Sequence, residues 1–343
     1  MTLLVRDEAD VVEAQLAYHL HAGVDHVIAT DNASCDGTTE ILERYERAGH
    51  LRLLPEPGDQ VRQAEWVTRM ARLAATEHDA DWVINSDADE FWWPRGGSLK
   101  DVLAAVPPRY GVVRGSWRHF LPRPDDGAFF GERMTVRLAR PAHPGAKETI
   151  YHAHQKVAHR AHPDVEVEVG NHNAEAPGGL LPLRAWHPLE VMHFSFRSTA
   201  QLELKARGAW LRSLGYQPTM HQMLLDEAYR DGRVAAFYDA FAVGDDALAA
   251  GLADGTLAVD TRLRDALRTL RGPDGAFLLP AAGRRLAFER PSARDDAAFA
   301  AEAAVLVEID GIVRAEQRVR ALEERLRAVE RGGLGAVRRL ARR

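Results

Sequence analysis

Asp87 and Asp89 are two acidic residues separated by one position, and they directly follow a short apolar run that begins at Trp82. In a strand their side chains would point to opposite faces, but a turn at the strand's carboxyl end can bring both toward one cation. Mg²⁺ and Mn²⁺ prefer oxygen ligands and commonly take one or two protein carboxylates, with water and phosphate completing the shell. The spacing therefore favours a divalent-metal site facing a phosphate-bearing ligand. The alternative is that both carboxylates only solvate a loop.

Asp31 begins a second polar segment, which runs to Thr38 between a predicted strand and a predicted helix. A carboxylate at this place can accept a hydrogen bond from a nucleotide base or ribose, and a helix N-terminus favours anionic groups. The same residue types are also typical of a tight turn followed by a helix cap. We interpret Ser34, Asp36 and Gly37 as turn residues and Asp31 as a nucleotide contact.

Taken in chain order, these motifs resemble glycosyltransferase family 2, and within it the family-2-like and family-92-like branch. The resemblance covers about residues 3–200 and implies a GT-A fold, a nucleotide-sugar donor and a metal bound through the Asp-x-Asp motif. It also implies that Asp31 contacts the base, Asp87 the ribose and Asp89 the metal. The segments that carry it are residues 4–10, 18–20, 23–24, 31–38 and 87–91.

The segment around His193 also resembles this branch, in which many GT-A enzymes supply a late histidine to the metal. A neutral imidazole can bind Mn²⁺ alongside carboxylates, so His193 is a candidate metal ligand. Arg197 and Lys205 follow it and would offer positive charge to the departing diphosphate, the first as a fork and the second as a point charge. The alternatives are a buried structural histidine and a solvated helix face.

Two weaker groups of candidates concern the donor and the acceptor. Arg62, or its neighbour Gln63, opens a predicted helix and would reach the donor, unless this is only a surface helix turn. Residues 170–172 would turn sharply and present His172 as a base, unless they form only a polar loop. Of the tryptophans, we expect Trp92 or Trp93 to touch the acceptor.

Together with the resemblance, these residues predict a metal-dependent glycosyltransferase of the hexosyltransferase type. It would use Mn²⁺ or Mg²⁺ and a UDP- or GDP-sugar, and a base would remove the proton of an acceptor hydroxyl. The resemblance favours inversion at the sugar, with retention left open. The candidate bases are His172 and Glu190, and weaker ones are Glu90 and Asp164.

Two other functions remain open from the sequence. A nucleotidyltransferase also combines a nucleotide-binding α/β domain with paired carboxylates, but it normally has a Gly-rich basic loop after the first strand. Residues 5–10 are acidic there and contain no glycine. An inactive scaffold, in which a C-terminal coiled coil is the functional element, is the other alternative.

An α/β domain must position these side chains, because the first half of the chain alternates short apolar runs with amphipathic helical windows. We expect a Rossmann-like mixed sheet flanked by helices, with the strand that ends at the Asp-x-Asp motif covering residues 81–86 and the one before Arg197 covering residues 191–194. The expected parts are residues 1–215 as a GT-A catalytic domain, 216–271 as a helical extension, 272–294 as a linker, and 295–343 as a coiled-coil helix with a basic tail.

Net charge, cysteine content and the length of the apolar runs limit which partners and compartments the protein is expected to have. With a net charge of -6 and a pI of about 6.2, the chain has no overall basic field for nucleic acid. Cys35 is the single cysteine, so a disulfide framework is excluded and a reducing cytoplasm is expected. No apolar run approaches the roughly 18 to 20 residues of a membrane span, and we expect neither a signal peptide nor a transmembrane anchor.

Heptad spacing near the C-terminus predicts self-association. Apolar residues recur every seven positions, which is typical of a coiled-coil seam and indicates a homo-oligomer. The basic tail from Arg331 would contact anionic lipid headgroups at a membrane surface, or else would be only a solvated tail. The seam residues are Ile312, Ala315, Val319, Leu322, Leu326 and Val329.

Overall fold

A computed structural model describes residues 1–58, 60–140, 149–207, 220–281 and 285–340. The strands are β1 (Thr2–Val5), β2 (Val27–Asp31), β3 (Leu51–Pro55), β4 (Trp82–Asp87), β5 (Glu90–Pro94), β6 (Val112–His119), β7 (Val136–Leu138), β8 (Gln155–Arg160), β9 (Glu166–Val167), β10 (Ala174–Glu175), β11 (Leu189–His193) and β12 (Leu257–Val259). The helices are α1 (Val12–Ala22), α2 (Thr38–Arg47), α3 (Gln63–Glu77), α4 (Leu99–Ala104), α5 (Phe130–Arg133), α6 (Thr199–Arg207), α7 (Met220–Arg230), α8 (Val234–Phe241), α9 (Asp245–Asp254), α10 (Arg262–Thr269) and α11 (Ala293–Leu340).

Eight of the strands form one mixed sheet in the order β3-β2-β1-β4-β8-β6-β11-β5. The four strands from β3 to β4 run parallel, whereas β8 pairs antiparallel with both β4 and β6, and β5 pairs antiparallel with β11. The predicted class, an α/β fold with a mixed sheet flanked by helices, is confirmed, whereas its assignment to the GT-A type stays a prediction. The parallel part ends its strands at one edge, which is where ligands bind in open α/β sheets.

The strand register brings the predicted site residues to that edge. On β1, Leu4 pairs with Asp87 and Val5 pairs with Asp31, so the ends of β2 and β4 lie on either side of the end of β1. On β11, His193 pairs with Glu90, which lies one residue after Asp89. Three segments that are distant in sequence therefore meet at the same edge of the sheet.

Apolar residues pack on both faces of the sheet, which is why each strand reads as an apolar run. One core cluster joins the sheet to α1, through buried residues such as Leu16 and Tyr18. The other joins the sheet to α3, through Val67 and Met70. The predicted end of α1 at Gly23 is also observed, because Gly23 has a φ of 118° and caps the helix in the left-handed conformation.

The C-terminal part contains short helices followed by the long helix α11. The predicted terminal helix is confirmed as an element, whereas the coiled coil that it would form with a second chain stays a prediction. The division into four parts also stays a prediction. Within the expected linker, the Leu286 amide donates to the carbonyl oxygen of His21, and the Phe288 ring packs on Tyr18 and Trp93.

Among the described residues, no helix is both long and apolar enough to cross a lipid bilayer.

We predict that Gly115→Ala destabilises the fold by about 1–3 kcal/mol, because it adds a methyl group to a filled core. A Cβ atom at Gly115 would lie 2.7 Å from Val191 Cγ2 and 2.9 Å from the Trp92 ring. Urea unfolding gives the free energy of each variant. The control Gly311→Ala lies in α11 with no atom within 4 Å of the added Cβ and should not lower stability. An unchanged stability of Gly115→Ala would contradict the packing.

Candidate functional site

The Asp-x-Asp motif forms the turn between two strands of the sheet. Asp87 is the last residue of β4, Glu90 is the first residue of β5, and Asp89 lies between them. The Asp87 amide donates to Glu90 Oε2 at 3.1 Å, and the Phe194 amide donates to the Asp89 carbonyl oxygen at 3.0 Å. The second bond ties the turn to the end of β11, so the motif is fixed against the His193 segment.

The Asp89 carboxylate is surrounded by positive and imidazole groups. His193 Nε2 lies 3.9 Å from Oδ1, while Lys205 Nζ and an Arg197 guanidinium nitrogen lie 3.6 Å and 3.7 Å from Oδ2. Burial alone would raise the pKa of Asp89, but the positive charges of Lys205 and Arg197 contribute to lowering it to about 2. The predicted pair Asp89 and His193 is therefore brought together, with Asp89 ionised at neutral pH.

His193 lies at the end of β11, against an aromatic wall. Its ring stacks on Trp117 with a centroid distance of 4.2 Å, and its Nδ1 lies 3.4 Å from His119 Nδ1 and 3.3 Å from Ser195 Oγ. Burial lowers the pKa of His193 well below its ordinary value, although Asp89 opposes the shift. Its imidazole is neutral at physiological pH, which is the form that binds metal ions.

The structure gives Arg197 a role that differs from the expected diphosphate contact. Its side chain is 0% exposed. Two of its nitrogens donate to Asp10 at 2.7 and 2.8 Å, and the guanidinium also donates to Glu8 and to the Phe194 carbonyl oxygen. Lys205 is 24% exposed, with Nζ 3.6 Å from Glu8 Oε1 as well as from Asp89. Of the two, Lys205 is the cation that reaches the surface of the site.

Asp87 is held by two residues that the sequence analysis did not assign to it. Lys156 Nζ lies 2.5 Å from Oδ2, and Asn171 Nδ2 donates to Oδ1 at 3.1 Å. Asp87 itself is 32% exposed and keeps an open side. One signal in the sequence pointed to Lys156: the chain has only four lysines among its 44 basic residues, the others being Lys100, Lys147 and Lys205.

Asp31 lies at the end of β2 in the predicted turn. Its Oδ1 accepts from the Ser34 amide at 3.1 Å and from Ser34 Oγ at 2.6 Å, and its Oδ2 accepts from Thr39 Oγ1 at 2.5 Å. Gly37 has a φ of 105° and leads into α2. The turn chemistry predicted for Ser34 and Gly37 is observed, while the nucleotide contact of Asp31 stays a prediction.

The two candidate bases lie in different surroundings. His172 stacks on His154 at a centroid distance of 3.5 Å, and its Nδ1–H donates to the Gln155 carbonyl oxygen at 2.8 Å. Glu190 is buried on β11, three positions before His193 and hence on the opposite face of the sheet. A cavity of about 1990 Å³ lies on the Glu190 face, and neither Asp89 nor His193 lines it.

The remaining candidates are not brought to the Asp89 carboxylate by any described contact. Arg62 is exposed at the start of α3 and lies 3.7 Å from Glu65, whereas Gln63 Oε1 accepts from the Gly170 amide at 3.1 Å. Trp92 and Trp93 are buried, Trp93 also lines the cavity on the Glu190 face, and the expected contact with an acceptor stays a prediction. Within the part of the chain that the structure describes, no group of three or more His, Cys, Asp or Glu side chains could hold a metal ion.

Residues 4–120 match the model of glycosyltransferase family 92. This segment contains Asp31, Asp87 and Asp89. The match confirms the resemblance to family-92-like enzymes for the segment that it covers, and it supports the predicted enzyme class, a glycosyltransferase. The resemblance to family 2 stays a prediction.

One relative and two solved structures are similar to parts of this chain. The glycosyltransferase family 92 protein Os08g0121900 of Oryza sativa subsp. japonica is 29% identical over an alignment of 153 residues, and the alignment covers 40% of this chain and 24% of that protein. The chain thus spans about a quarter of that relative's length.

The mannosyltransferase PcManGT from Pyrobaculum calidifontis, in complex with GDP-Man and Mn²⁺, is 20% identical with a TM-score of 0.32, and the likeness covers 78% of this chain and 77% of that chain. S. aureus TarS 1–349 in complex with UDP is 10% identical with a TM-score of 0.31, covering 85% and 96%. TM-scores of this size do not establish a common fold.

We predict that Glu190→Gln lowers the free energy of unfolding at neutral pH and that this loss becomes smaller at acidic pH. Burial alone would raise the pKa of Glu190, but Arg262, Arg118 and Arg95 lower it from its ordinary value of 4.5 to about 2. The ionised carboxylate therefore stabilises the fold above pH 4.5, and this contribution is lost as the pH falls toward 2. The stability difference between the wild type and Glu190→Gln should be largest near neutral pH and should narrow on acidification.

Urea unfolding at a series of pH values measures this difference. Glu43→Gln is the matched control, because Glu43 forms an exposed ion pair with Arg47 and contributes little to stability. A difference between Glu190→Gln and the wild type that stays constant from neutral pH to pH 2 would contradict the prediction.

Proposed function

We propose that the chain is a metal-dependent glycosyltransferase that moves a sugar from a UDP- or GDP-sugar to an acceptor hydroxyl. The observation that carries the proposal is the meeting of Asp89, His193 and Lys205, with His193 Nε2 3.9 Å from one carboxylate oxygen and Lys205 Nζ 3.6 Å from the other. This meeting occurs at the carboxyl edge of the sheet, where ligands bind in α/β folds. The family 92 match, which includes Asp89, supports the reaction class.

Asp89 and His193 are the residues that would hold the metal. The donor set fits Mn²⁺ or Mg²⁺, since an ionised carboxylate and a neutral imidazole are suitable ligands and the donor phosphate and water commonly fill the other positions. A bound divalent cation supplies positive charge that stabilises the departing nucleoside diphosphate.

Lys205 and Arg197, the two cations beside Asp89, have different roles in the proposal. Lys205 is partly exposed beside Asp89, so its ammonium group can approach the diphosphate as a point charge. Arg197 is buried beneath Asp89 and is held by Asp10, so it keeps the carboxylate in place instead of binding the ligand. Because both groups are in position before the reaction, they stabilise the developing charge with little reorganisation.

The donor's nucleoside would lie along the ends of β2 and β4. Asp31 would bind the base and Asp87 the ribose, and the register with β1 supports this because it sets the two residues at one edge. Each oxygen of Asp31 already accepts within its turn, but a carboxylate oxygen can accept a second hydrogen bond. Arg62 remains a further donor contact of the proposal.

For the base we favour His172 over Glu190. Donation from its Nδ1–H to Gln155 makes Nε2 the nitrogen that can take a proton. Glu190 instead pairs with Arg95, Arg118 and Arg262 on the other face of the sheet, and its low pKa makes it a weak base. Transfer with inversion follows if His172 deprotonates the attacking hydroxyl directly.

We also propose that α11 joins two copies of the chain. Its first turns pack on the domain through buried Phe299 and Leu306, whereas farther along Val319, Leu322 and Leu326 are exposed at heptad spacing. A stripe of this kind is typical of a coiled-coil seam. The cytoplasmic location and a membrane contact of the basic tail stay predictions.

We predict that Asp89→Asn lowers sugar transfer at least about 100-fold, since it removes the charge that binds the metal but keeps the side chain's shape. A screen of UDP- and GDP-sugars, with product mass and anomeric configuration, measures the activity with Mn²⁺ and with a chelator. Asp25→Asn is the control, because Asp25 forms an exposed ion pair with Lys100. Undiminished, metal-dependent transfer by Asp89→Asn would contradict the proposal. Release of pyrophosphate from a nucleoside triphosphate would favour a nucleotidyltransferase instead.

We predict that the full chain sediments as an oligomer and that a chain ending at Glu308 sediments as a monomer. The shortened chain keeps the part of α11 that packs on the domain and loses the exposed stripe. Sedimentation equilibrium gives both masses. An oligomer of unchanged size in the shortened chain would contradict this role of α11.

A further inference from the structure

Lysine is rare in this chain, and its placement is uneven. Four of the 44 basic residues are lysines, and two of these, Lys156 and Lys205, lie within 3.6 Å of the carboxylates of Asp87 and Asp89. A lysine ammonium is a compact point charge, whereas arginine carries a planar fork that needs more room. In a chain that otherwise uses arginine, lysine at these two positions indicates that the size of the cation matters there.

Lys156 lies on β8 in a closed space. Its side chain is 2% exposed, with Nζ 2.5 Å from Asp87 Oδ2, 3.0 Å from Glu90 Oε1 and 5.3 Å from the centre of the Trp117 ring. Glu90 is itself fixed, because it accepts from Trp117 Nε1 at 2.9 Å. A buried ammonium in these contacts acts on Asp87 and not directly on a ligand.

Asn171 donates to the other oxygen of Asp87 while two features of its own conformation are unfavourable. Its φ is 61°, in the left-handed region, and its own Oδ1 is buried with no hydrogen-bond partner among the described residues. A residue other than glycine in this region, and a buried acceptor without a partner, are both unfavourable. The preceding residue, Gly170, is tied to α3 by the bond from its amide to Gln63. The loop is therefore built around the contact between Asn171 and Asp87.

We propose that Lys156 and Asn171 are positioning residues that fix the Asp87 carboxylate, one at each oxygen, so that it binds the ribose hydroxyls of the nucleotide donor. The inference rests on the proposed function. Asp87 remains partly exposed, and each of its oxygens retains a lone pair for a hydroxyl group. A carboxylate fixed in this way binds a diol without first losing rotational freedom.

The test compares nucleotides with and without the ribose hydroxyls. Calorimetry with Mn²⁺ gives the Kd of UDP and GDP and of their 2′,3′-dideoxy forms, and the ratio of dideoxy to ribo Kd isolates the ribose contact. The wild type should prefer the ribonucleotide. In Lys156→Met its affinity should fall about 10- to 100-fold and the ratio should approach one, as for the loss of a residue that orients a ligand. In turnover, the donor KM should rise while the acceptor KM stays unchanged.

Three further variants separate positioning from folding. Lys156→Met with Glu90→Gln removes the ammonium group together with the second carboxyl group that faces it, so that Asp87 is the only one of the two carboxyl groups left beside this position. Asn171→Gly keeps the left-handed backbone and removes only the amide group. Both should bring the ratio close to one with the melting temperature maintained. Lys100→Met, at an exposed ion pair, should leave the ratio at its wild-type value.

The outcomes distinguish this inference from the proposed function. A wild type that binds neither UDP nor GDP overturns the proposed function and this inference with it. A wild type that binds both forms of its nucleotide equally well, or folded variants that keep the wild-type ratio, overturn the inference alone.

Discussion

The ionised carboxylate of Asp89 is buried, and the arrangement of the site depends on how its charge is compensated. A buried carboxylate without a partner costs several kcal/mol. Here Arg197 and Lys205 provide the partners, and Arg197 in turn requires Asp10 and Glu8. Alternating charges thus join the loop after β1, the turn after β4 and helix α6. These segments cannot move apart without leaving a buried charge unpaired.

The two faces of the sheet carry different charged groups. His193 and Glu190 belong to the same strand, yet one lies beside Asp89 and the other is surrounded by Arg95, Arg118 and Arg262. Arg118 also pairs with Glu302 of α11 at 2.7 Å. The face of Glu190 therefore attaches the C-terminal helix, while the edge at His193 carries the groups suited to chemistry.

The sequence alone predicted the sheet and its edge, because apolar periodicity locates strands and parallel strands end together, and the family resemblance predicted the approach of His193 to Asp89. It did not predict the partners of Asp87 or Arg197, since their ion pairs join residues 69 and 187 positions apart. It also misjudged the strand before Arg197, predicted at 191–194 and observed at Leu189–His193. The observed strand starts two residues earlier and therefore includes Glu190. Because side chains alternate along a strand, the Glu190 side chain lies on the face opposite to that of His193.

Pulsed electron paramagnetic resonance of Mn²⁺ bound together with UDP or GDP tests the central role of Asp89 and His193 most directly. We expect nitrogen coupling from an imidazole ligand, which disappears in His193→Gln, and we expect that Asp89→Asn does not retain the ion. Stoichiometric Mn²⁺ without nitrogen coupling, or the same coupling in His193→Gln, would contradict it.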